Sequence, residues 1–296
     1  MNPHSILRPE VVLAALLILI PTLGAAFFPG RIRLLAQALP RSARLAAPAL
    51  LCVPYAMVAT SFGVFHWSWL AVYAALPVAI AWLMSQAASA DPSLRGNWRD
   101  FLLLLVLGLA VDMRWLEPAW PAGLAALGKM LLLDAGVFGF LAVRQLDGVG
   151  FDLRLCGRDV GVGLREFCFY ALIAIPLGLA LGFLHIHTAW PQPLHATGAF
   201  AFTFLFIAIP EELFFRGWLQ NLLERRLGRT SALLLTAALF GLAHWNKRTV
   251  NFNWRYVLMA ALAGIFYGRA WRAQRRVGAS AITHATVDTL WSLWLR

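Results

Sequence analysis

Long apolar runs follow one another along the chain, separated by short polar segments that are rich in arginine. A membrane-crossing helix needs about 20 mostly apolar residues, and fewer where it lies inside a bundle. We therefore expect an all-α, polytopic transmembrane helical bundle of about 8–10 spans, because some runs are short or interrupted. The predicted helices are 11–28, 45–64, 67–87, 100–113, 119–143, 167–184, 198–222, 231–246, 256–271 and 279–295.

The composition supports the same class of protein. Of the 296 residues, 60% are hydrophobic and 13% are charged, whereas a soluble domain is about half apolar and about a quarter charged. The net charge of +11 suggests binding to nucleic acid at first sight. In a membrane protein, however, excess Arg and Lys mark the cytoplasmic loops. We expect the lipid bilayer as a partner, and no nucleic acid.

The arginines alternate between loops that are rich in them and loops that are poor in them. By the positive-inside rule the rich loops face the cytoplasm, and with ten spans both termini lie on the outer side. Residues 11–28 are too long for a cleaved signal peptide and form the first span. The Ala-, Arg- and Leu-rich composition and the lack of organelle signals predict a multi-pass protein of a bacterial inner (cytoplasmic) membrane. The sequence does not indicate an oligomeric state.

Ionisable residues also lie inside the apolar runs, where a charge is costly unless it meets a partner or water. Lys129 and Asp134 are five residues apart, so each is expected to pair with a group elsewhere. Asp100 lies at the end of a run, where we expect it to face interfacial water. The remaining residues of this kind lie in the C-terminal half: Glu211, Glu212, Arg216, His244, His284 and Asp288.

Two glutamates and an arginine share the run at 198–222. Glu212 and Arg216 are one helical turn apart on one face, so they can form an ion pair. Glu211 lies about 100° around the helix from Glu212 and is left without that counterion. Pro210 removes a backbone N–H and frees the carbonyl of Phe206, which opens or kinks the helix just before the glutamates.

The same four-residue step recurs on the next polar helices. Phe240 and His244 are one turn apart, as are His284 and Asp288. A carboxylate such as Glu211 beside an imidazole can take a proton from water. A second histidine can donate a hydrogen bond to a developing oxyanion. If these groups converge, the chemistry that they predict is hydrolysis of an amide bond inside the membrane.

Three motifs in order carry a family resemblance. EELFFR (211–216), FGLAH (240–244) and HATVD (284–288) look like the EExxxR, FxxxH and HxxxN/D motifs. The chain thus resembles the CAAX-protease and bacteriocin-processing (CPBP, or Abi) family over roughly residues 165–296. The resemblance implies an intramembrane glutamic endopeptidase of the type II CAAX-protease kind.

The resemblance also implies roles for single residues. Glu211 would be the general base, and His244 would help it to activate the attacking water. Glu212 and Arg216 would hold the helix of the first glutamate and order the site.

The last motif departs from its best-known form. The resemblance implies that His284 and Asp288 stabilise the oxyanion, but the well-known eukaryotic and archaeal members tend to have Asn at position 288. Asp donates a hydrogen bond only when it is protonated. Orienting His284 is therefore an equally good role for Asp288.

The N-terminal half carries no assignable motif. We divide the chain into residues 1–164, transmembrane helices plus a cytoplasmic loop of unknown role, and residues 165–296, a CPBP-like catalytic bundle. The expected substrate is a membrane-anchored protein or peptide. Its identity, its cleavage site and any lipid attached to it are not indicated by the sequence.

Other functions compete with proteolysis. A zinc-dependent variant of the same protease is possible but not favoured, because adjacent glutamates do not easily reach one ion and no HExxH pair is present. We therefore expect no cofactor. His185, His187 and His195 lack fixed helical spacing and are not expected to bind metal. A non-catalytic peptide-binding or immunity protein would need the pocket but not the basicity of Glu211. A proton-coupled transporter is the least favoured of these alternatives.

Overall fold

A computed structural model of the protein describes residues 8–188, 190–247 and 251–295. Helix makes up 79% of the structure, and no strand occurs in these ranges. Within the described residues, six helices are long and apolar enough to cross a membrane, which confirms a polytopic helical bundle. They are Pro9–Phe27, Arg41–Ser61, Trp67–Ala90, Ala125–Val143, Gly157–Ala180 and Pro193–Leu227.

The chain forms two compact units, residues 1–147 and residues 148–296. The first unit contains α1 (Pro9–Phe27), α2 (Pro29–Ala38), α3 (Arg41–Ser61), α4 (Trp67–Ala90), α5 (Trp98–Asp112) and α6 (Ala125–Val143). The second contains α7 (Gly157–Ala180), α8 (Pro193–Leu227), α9 (Arg229–Leu242), α10 (Trp254–Gln274) and α11 (Val277–Trp294). Each predicted apolar run overlaps one of these helices, and α2 is an additional short one.

Lys129 and Asp134, the ionisable residues noted inside an apolar run of the first unit, have partners within that unit. Lys129 forms an ion pair with Glu117 at 3.0 Å, and Asp134 accepts a hydrogen bond from the Thr22 hydroxyl. Both residues therefore pair with groups elsewhere, as expected.

The expectation that Asp100 faces water is wrong. Its carboxylate is fully buried and accepts a hydrogen bond at 2.8 Å from Nε of Arg144, which is itself buried. The same guanidinium reaches Asp91 at 2.7 Å. Asp100 also accepts a hydrogen bond from the backbone N–H of Asn97 and so caps α5. Burial is tolerated because the charge is paired and hydrogen-bonded.

Helix α7 begins at Gly157, well before the predicted start at residue 167. Its first turn is capped by Asp159, which accepts a hydrogen bond from the backbone N–H of Cys156 at 3.0 Å. Asp159 is fully buried and also pairs with Arg276 at 2.8 Å. The polar first turns, which resemble a loop in sequence, are therefore stabilised by an ion pair with the start of α11. Residues 148–164, placed with the N-terminal region from the sequence, lie in the second unit.

Helix α8 is wound unevenly around Pro210. The stretches Phe204–Ala208 and Leu213–Gln220 are π-helical, with a short α-helical turn, Ile209–Glu212, between them. The N–H of Ile209 donates to the carbonyl of Phe204, five residues back. The wide turns fit the break expected from the proline, since π-turns accommodate local irregularity inside a helix.

Helices α9 and α10 approach each other closely through glycine. A Cβ added at Gly241 would lie 2.5 Å from the carbonyl oxygen of Val257, and one at Gly264 would lie 3.0 Å from the Cα of Ala237. Phe240 and Tyr267 are buried beside these contacts in one hydrophobic cluster. The close approach sets the position of the end of α9, and His244 lies in the turn that follows.

Candidate active site

The site is built around the buried carboxylate of Glu212. Its Oε1 lies 3.0 Å from Nη1 of Arg216 and 2.9 Å from Nδ1 of His284. Arg216 also donates to the carbonyl oxygen of Gly264 at 3.1 Å. Glu212 and Arg216 are fully buried, so their pairing offsets the cost of removing two charges from water. The structure thus contains the ion pair that the four-residue spacing predicts.

Two aromatic rings enclose this cluster. The ring of Tyr267 stacks on the imidazole of His284, with ring centroids 4.6 Å apart and an interplanar angle of 15°. The edge of the Phe240 ring contacts the same imidazole, with centroids 5.7 Å apart. The guanidinium of Arg216 lies 4.6 Å from the Phe240 centroid and 5.3 Å from that of Tyr267. Both rings therefore contact both basic groups.

The sequence analysis missed Tyr267. It lies on α10, which carries none of the three motifs, and its contact with His284 exists only after α10 and α11 pack together. A tyrosine inside an apolar helix is a weak indication of a functional site, because its ring packs equally well in an ordinary hydrophobic core.

His284 presents its second ring nitrogen to two further acids. Nε2 lies 3.4 Å from Oδ2 of Asp288 and 3.9 Å from Oε2 of Glu211. The side chains of Asp288 and Glu211 are about one-third exposed, at 34% and 36%. A separation of 3.9 Å is too long for a direct hydrogen bond. Oε2 of Glu211 has no direct hydrogen-bond partner among the described residues.

His244 lies in the turn after α9 and is oriented by a carbonyl group of that helix. Its Nδ1 donates to the carbonyl oxygen of Phe240 at 2.8 Å, so the neutral ring leaves Nε2 as an acceptor. The ring also packs against Tyr256, with centroids 5.0 Å apart. Within the described part of the chain, no direct hydrogen bond or ion pair joins His244 to Glu211.

The family comparison matches the part of the chain that holds these residues. Residues 193–290 match the family model described as type II CAAX prenyl endopeptidase Rce1-like. This stretch, which we call the Rce1-like domain, is similar to the Rce1-like proteins of the CPBP family. The match spans all six predicted site residues and confirms the resemblance to a CAAX-type protease family. No curated protein and no solved structure matches the chain.

A cavity of about 60 Å³ lies beside the histidines of the Rce1-like domain. Of the six predicted site residues, His244, His284 and Asp288 line it, whereas the others do not. Most of the wall is apolar and comes from α7, α10 and α11. The cavity is therefore bordered by polar side chains of the candidate site on one part of its wall and by apolar side chains on the rest.

Metal-binding groups do not gather in the described ranges. No group of three or more His, Cys, Asp or Glu side chains there is placed to hold one ion. This covers His185, His187 and His195, as well as the acids and histidines of the Rce1-like domain. His185 and His187 instead donate their backbone N–H groups to the carbonyls of Leu295 and Trp294, at 3.1 and 2.8 Å.

Proposed function

We propose that the protein is an intramembrane endopeptidase in which Glu211 activates the water that cleaves a peptide bond. The observation that carries this proposal is the closeness of Glu211 to His284: Oε2 lies 3.9 Å from Nε2, and the side chain of Glu211 is 36% exposed, so water can reach the acid. The expected substrate is a membrane-anchored protein or peptide, in the inner membrane of a bacterium. The Rce1-like domain supports a protease of the CAAX type at the level of the family.

The proposed reaction begins with proton transfer from water to Glu211. The resulting hydroxide adds to the peptide carbonyl carbon, and the carbonyl oxygen becomes an oxyanion. His244, whose Nε2 is free to accept a hydrogen bond, helps to orient the water. The tetrahedral intermediate then collapses, the C–N bond breaks, and the leaving amine takes the proton from Glu211.

His284 is proposed to donate a hydrogen bond from Nε2 to the oxyanion. Asp288 lies beside the same nitrogen in the resting site, with Oδ2 3.4 Å away. This contact favours orientation of His284, rather than direct oxyanion binding, as the role of Asp288. Glu212 holds the opposite ring nitrogen at 2.9 Å, and Arg216 holds Glu212 in turn.

The proposal is tested with Glu211→Gln, which keeps the shape of the side chain and removes its basicity. We expect mass spectrometry of membrane proteins to show at least one tail that is cleaved in cells with the wild-type protein and uncleaved in cells with the variant. Glu10→Gln, an exposed glutamate of α1, is the matched control and should leave the tail cleaved. Full function in Glu211→Gln cells would instead support a non-catalytic peptide-binding or immunity protein.

The zinc-dependent alternative is separated by chelation. The proposed mechanism uses no metal, so cleavage by the purified protein should persist in the presence of a strong chelator. Loss of cleavage that is restored by added zinc would show that the metal-free mechanism is wrong.

A further inference from the structure

Two arginines flank one buried acid on the N-terminal part of α7. Glu166 is buried, and each of its carboxylate oxygens accepts a hydrogen bond from a different guanidinium group. Oε1 lies 2.8 Å from Nη2 of Arg165, and Oε2 lies 2.8 Å from Nε of Arg269 on α10. The side chains of the two arginines are about half exposed, at 53% and 48%. Two positive charges and one negative charge therefore meet at the surface of the second unit.

The two guanidinium groups keep hydrogen-bond donors that the protein does not use. Among the described residues, the Arg269 side chain donates a hydrogen bond only through Nε, so both of its Nη groups lack an acceptor. Arg165 donates through Nε and Nη2, which leaves Nη1. One carboxylate balances one of the two arginines, and one positive charge remains. A phosphodiester carries one negative charge and accepts several N–H groups at once, so it complements this cluster.

An exposed apolar strip begins directly beside the arginines. Phe169, Leu172 and Ile173 follow Arg165 by four, seven and eight residues, so all four share one face of α7. The three apolar side chains are exposed, and α7 is long and apolar enough to cross a membrane. The guanidinium of Arg269 lies 5.8 Å from the centroid of the Phe169 ring. The charged cluster and the strip are therefore continuous.

We infer that Arg165, Glu166 and Arg269 bind the phosphate headgroup of an anionic phospholipid, whose acyl chain lies along the exposed strip of α7. A soluble phosphodiester would use the guanidinium groups alone, whereas a lipid uses the strip as well. A zwitterionic headgroup would bring a further positive charge to a cluster that already has an excess of one. The inference is independent of the proposed reaction, because none of the three residues belongs to the candidate active site.

The expected orientation of the chain agrees with this ligand. The polar segment that leads into α7 is one of the arginine-rich segments expected to face the cytoplasm. The cytoplasmic leaflet carries anionic lipids, and each arginine near such a surface contributes about a fivefold gain in affinity. The buried carboxylate of Glu166 holds the two guanidinium groups together, so the site is formed before the lipid binds.

Lipid binding to the whole protein tests the inference. The protein is purified in a neutral detergent and titrated with phosphatidylglycerol or with phosphatidylcholine of the same acyl chains, and native mass spectrometry measures the lipid bound. We expect the anionic lipid to bind about fivefold more tightly or better. Equal affinities for the two lipids would overturn the inference.

A soluble competitor separates a lipid from a free phosphodiester. Glycerophosphoglycerol has the headgroup of phosphatidylglycerol without its acyl chains, so it cannot use the apolar strip. An equal concentration of it should leave the lipid bound. Displacement of the lipid at that concentration would show that the site takes a soluble phosphodiester, and the assignment to a lipid would be wrong.

Arg165→Gln removes the excess charge of the cluster. Glu166 keeps its ion pair with Arg269, so we expect the variant to fold. Its affinity for phosphatidylglycerol should fall about fivefold, to that for phosphatidylcholine. Arg229→Gln is the matched control, because it removes the same charge from an exposed position at the start of α9 and should leave the lipid preference unchanged. Equal losses in both variants would indicate general attraction to a basic surface and overturn the site.

Glu166→Gln changes the charge in the opposite direction. The amide keeps the shape of the side chain, and both guanidinium groups lose their carboxylate partner. Affinity for phosphatidylglycerol should rise about fivefold, while affinity for phosphatidylcholine should change less. The variant also provides a test if Arg165→Gln does not fold. A folded Glu166→Gln protein without any gain in affinity would contradict the site.

Discussion

At the scale of single residues, the site combines a contact that sequence predicts with one that it does not. The spacing of Glu212 and Arg216 on one helix predicts their ion pair, because neighbours four apart share a face. The stacking of Tyr267 on His284 joins two helices, and no spacing within either helix encodes it. A single sequence therefore indicates the charged residues of the site but not the rings that hold them.

Replacing Tyr267 tests whether its ring positions His284. Tyr267→Leu removes a stacked pair worth about 0.5–1.5 kcal/mol, so we expect kcat to fall about two- to twelvefold if the stacking is needed in the transition state. Tyr267→Phe keeps the ring and should retain most of the rate. The comparison needs kcat and KM for both variants, together with the pH–rate profile. A similar loss in both variants would assign the role to the hydroxyl instead.

The buried ion pair predicts non-additive effects on stability. Arg216→Met leaves the carboxylate of Glu212 buried without its guanidinium, which should cost about 3–5 kcal/mol. Adding Glu212→Gln removes the uncompensated charge, so the double variant should melt at a higher temperature than Arg216→Met alone. Melting temperatures of the purified proteins in one detergent provide the measurement. If the effects of the two substitutions simply add, the pair is not coupled in the way the structure indicates.

At the scale of helices, the apolar runs predict where the helices lie but not where they all begin. Helix α7 starts at Gly157 because Asp159 pairs with Arg276 of the α10–α11 corner. Asp100 is buried for a similar reason, since Arg144 meets it from the end of α6. In both places the sequence around the acid looks like a loop or a membrane interface. The acid is nevertheless buried, because an arginine far away in sequence pairs with it.

The close contact between α9 and α10 predicts a steric effect at Gly241. Gly241→Ala would place a methyl group 2.5 Å from the carbonyl oxygen of Val257, so the helices must separate. We expect a loss of about 1–3 kcal/mol in stability and lower activity, because His244 lies in the turn directly after α9. Gly198→Ala on α8 is the control, since nothing lies within 4 Å of its added Cβ. That change should be neutral or stabilising.

At the scale of the whole molecule, the hydrophobic content predicts a polytopic membrane protein, which the structure confirms. The contacts described for the candidate site all lie in the second unit, residues 148–296. The motifs indicate this half of the chain, and the family match covers most of it. The start of the unit is set by ion pairs between segments distant in sequence, which a single sequence does not reveal.

The unit boundary makes a prediction about truncated proteins. A fragment of residues 148–296 keeps Asp152 and Asp159 with their partner Arg276, so we expect it to fold and to cleave the same peptide as the full chain. A fragment of residues 165–296 loses both acids and the first turns of α7, and it should be unstable. Yield, melting temperature and cleavage of each fragment in proteoliposomes provide the comparison. Equal behaviour of the two fragments would show that these ion pairs are dispensable.

The wide turns in α8 also fix an angular relationship along that helix. A π-turn uses one more residue to close than an α-turn does. Deleting one residue from 204–208 would therefore return this stretch to ordinary winding and leave its two flanks at nearly the same angle. A deletion in the regular segment Pro193–Thr203 would instead rotate the residues before it by about 100°. The extra residue before Pro210 is thus absorbed in the winding, and Glu212 keeps its place against Arg216 and His284.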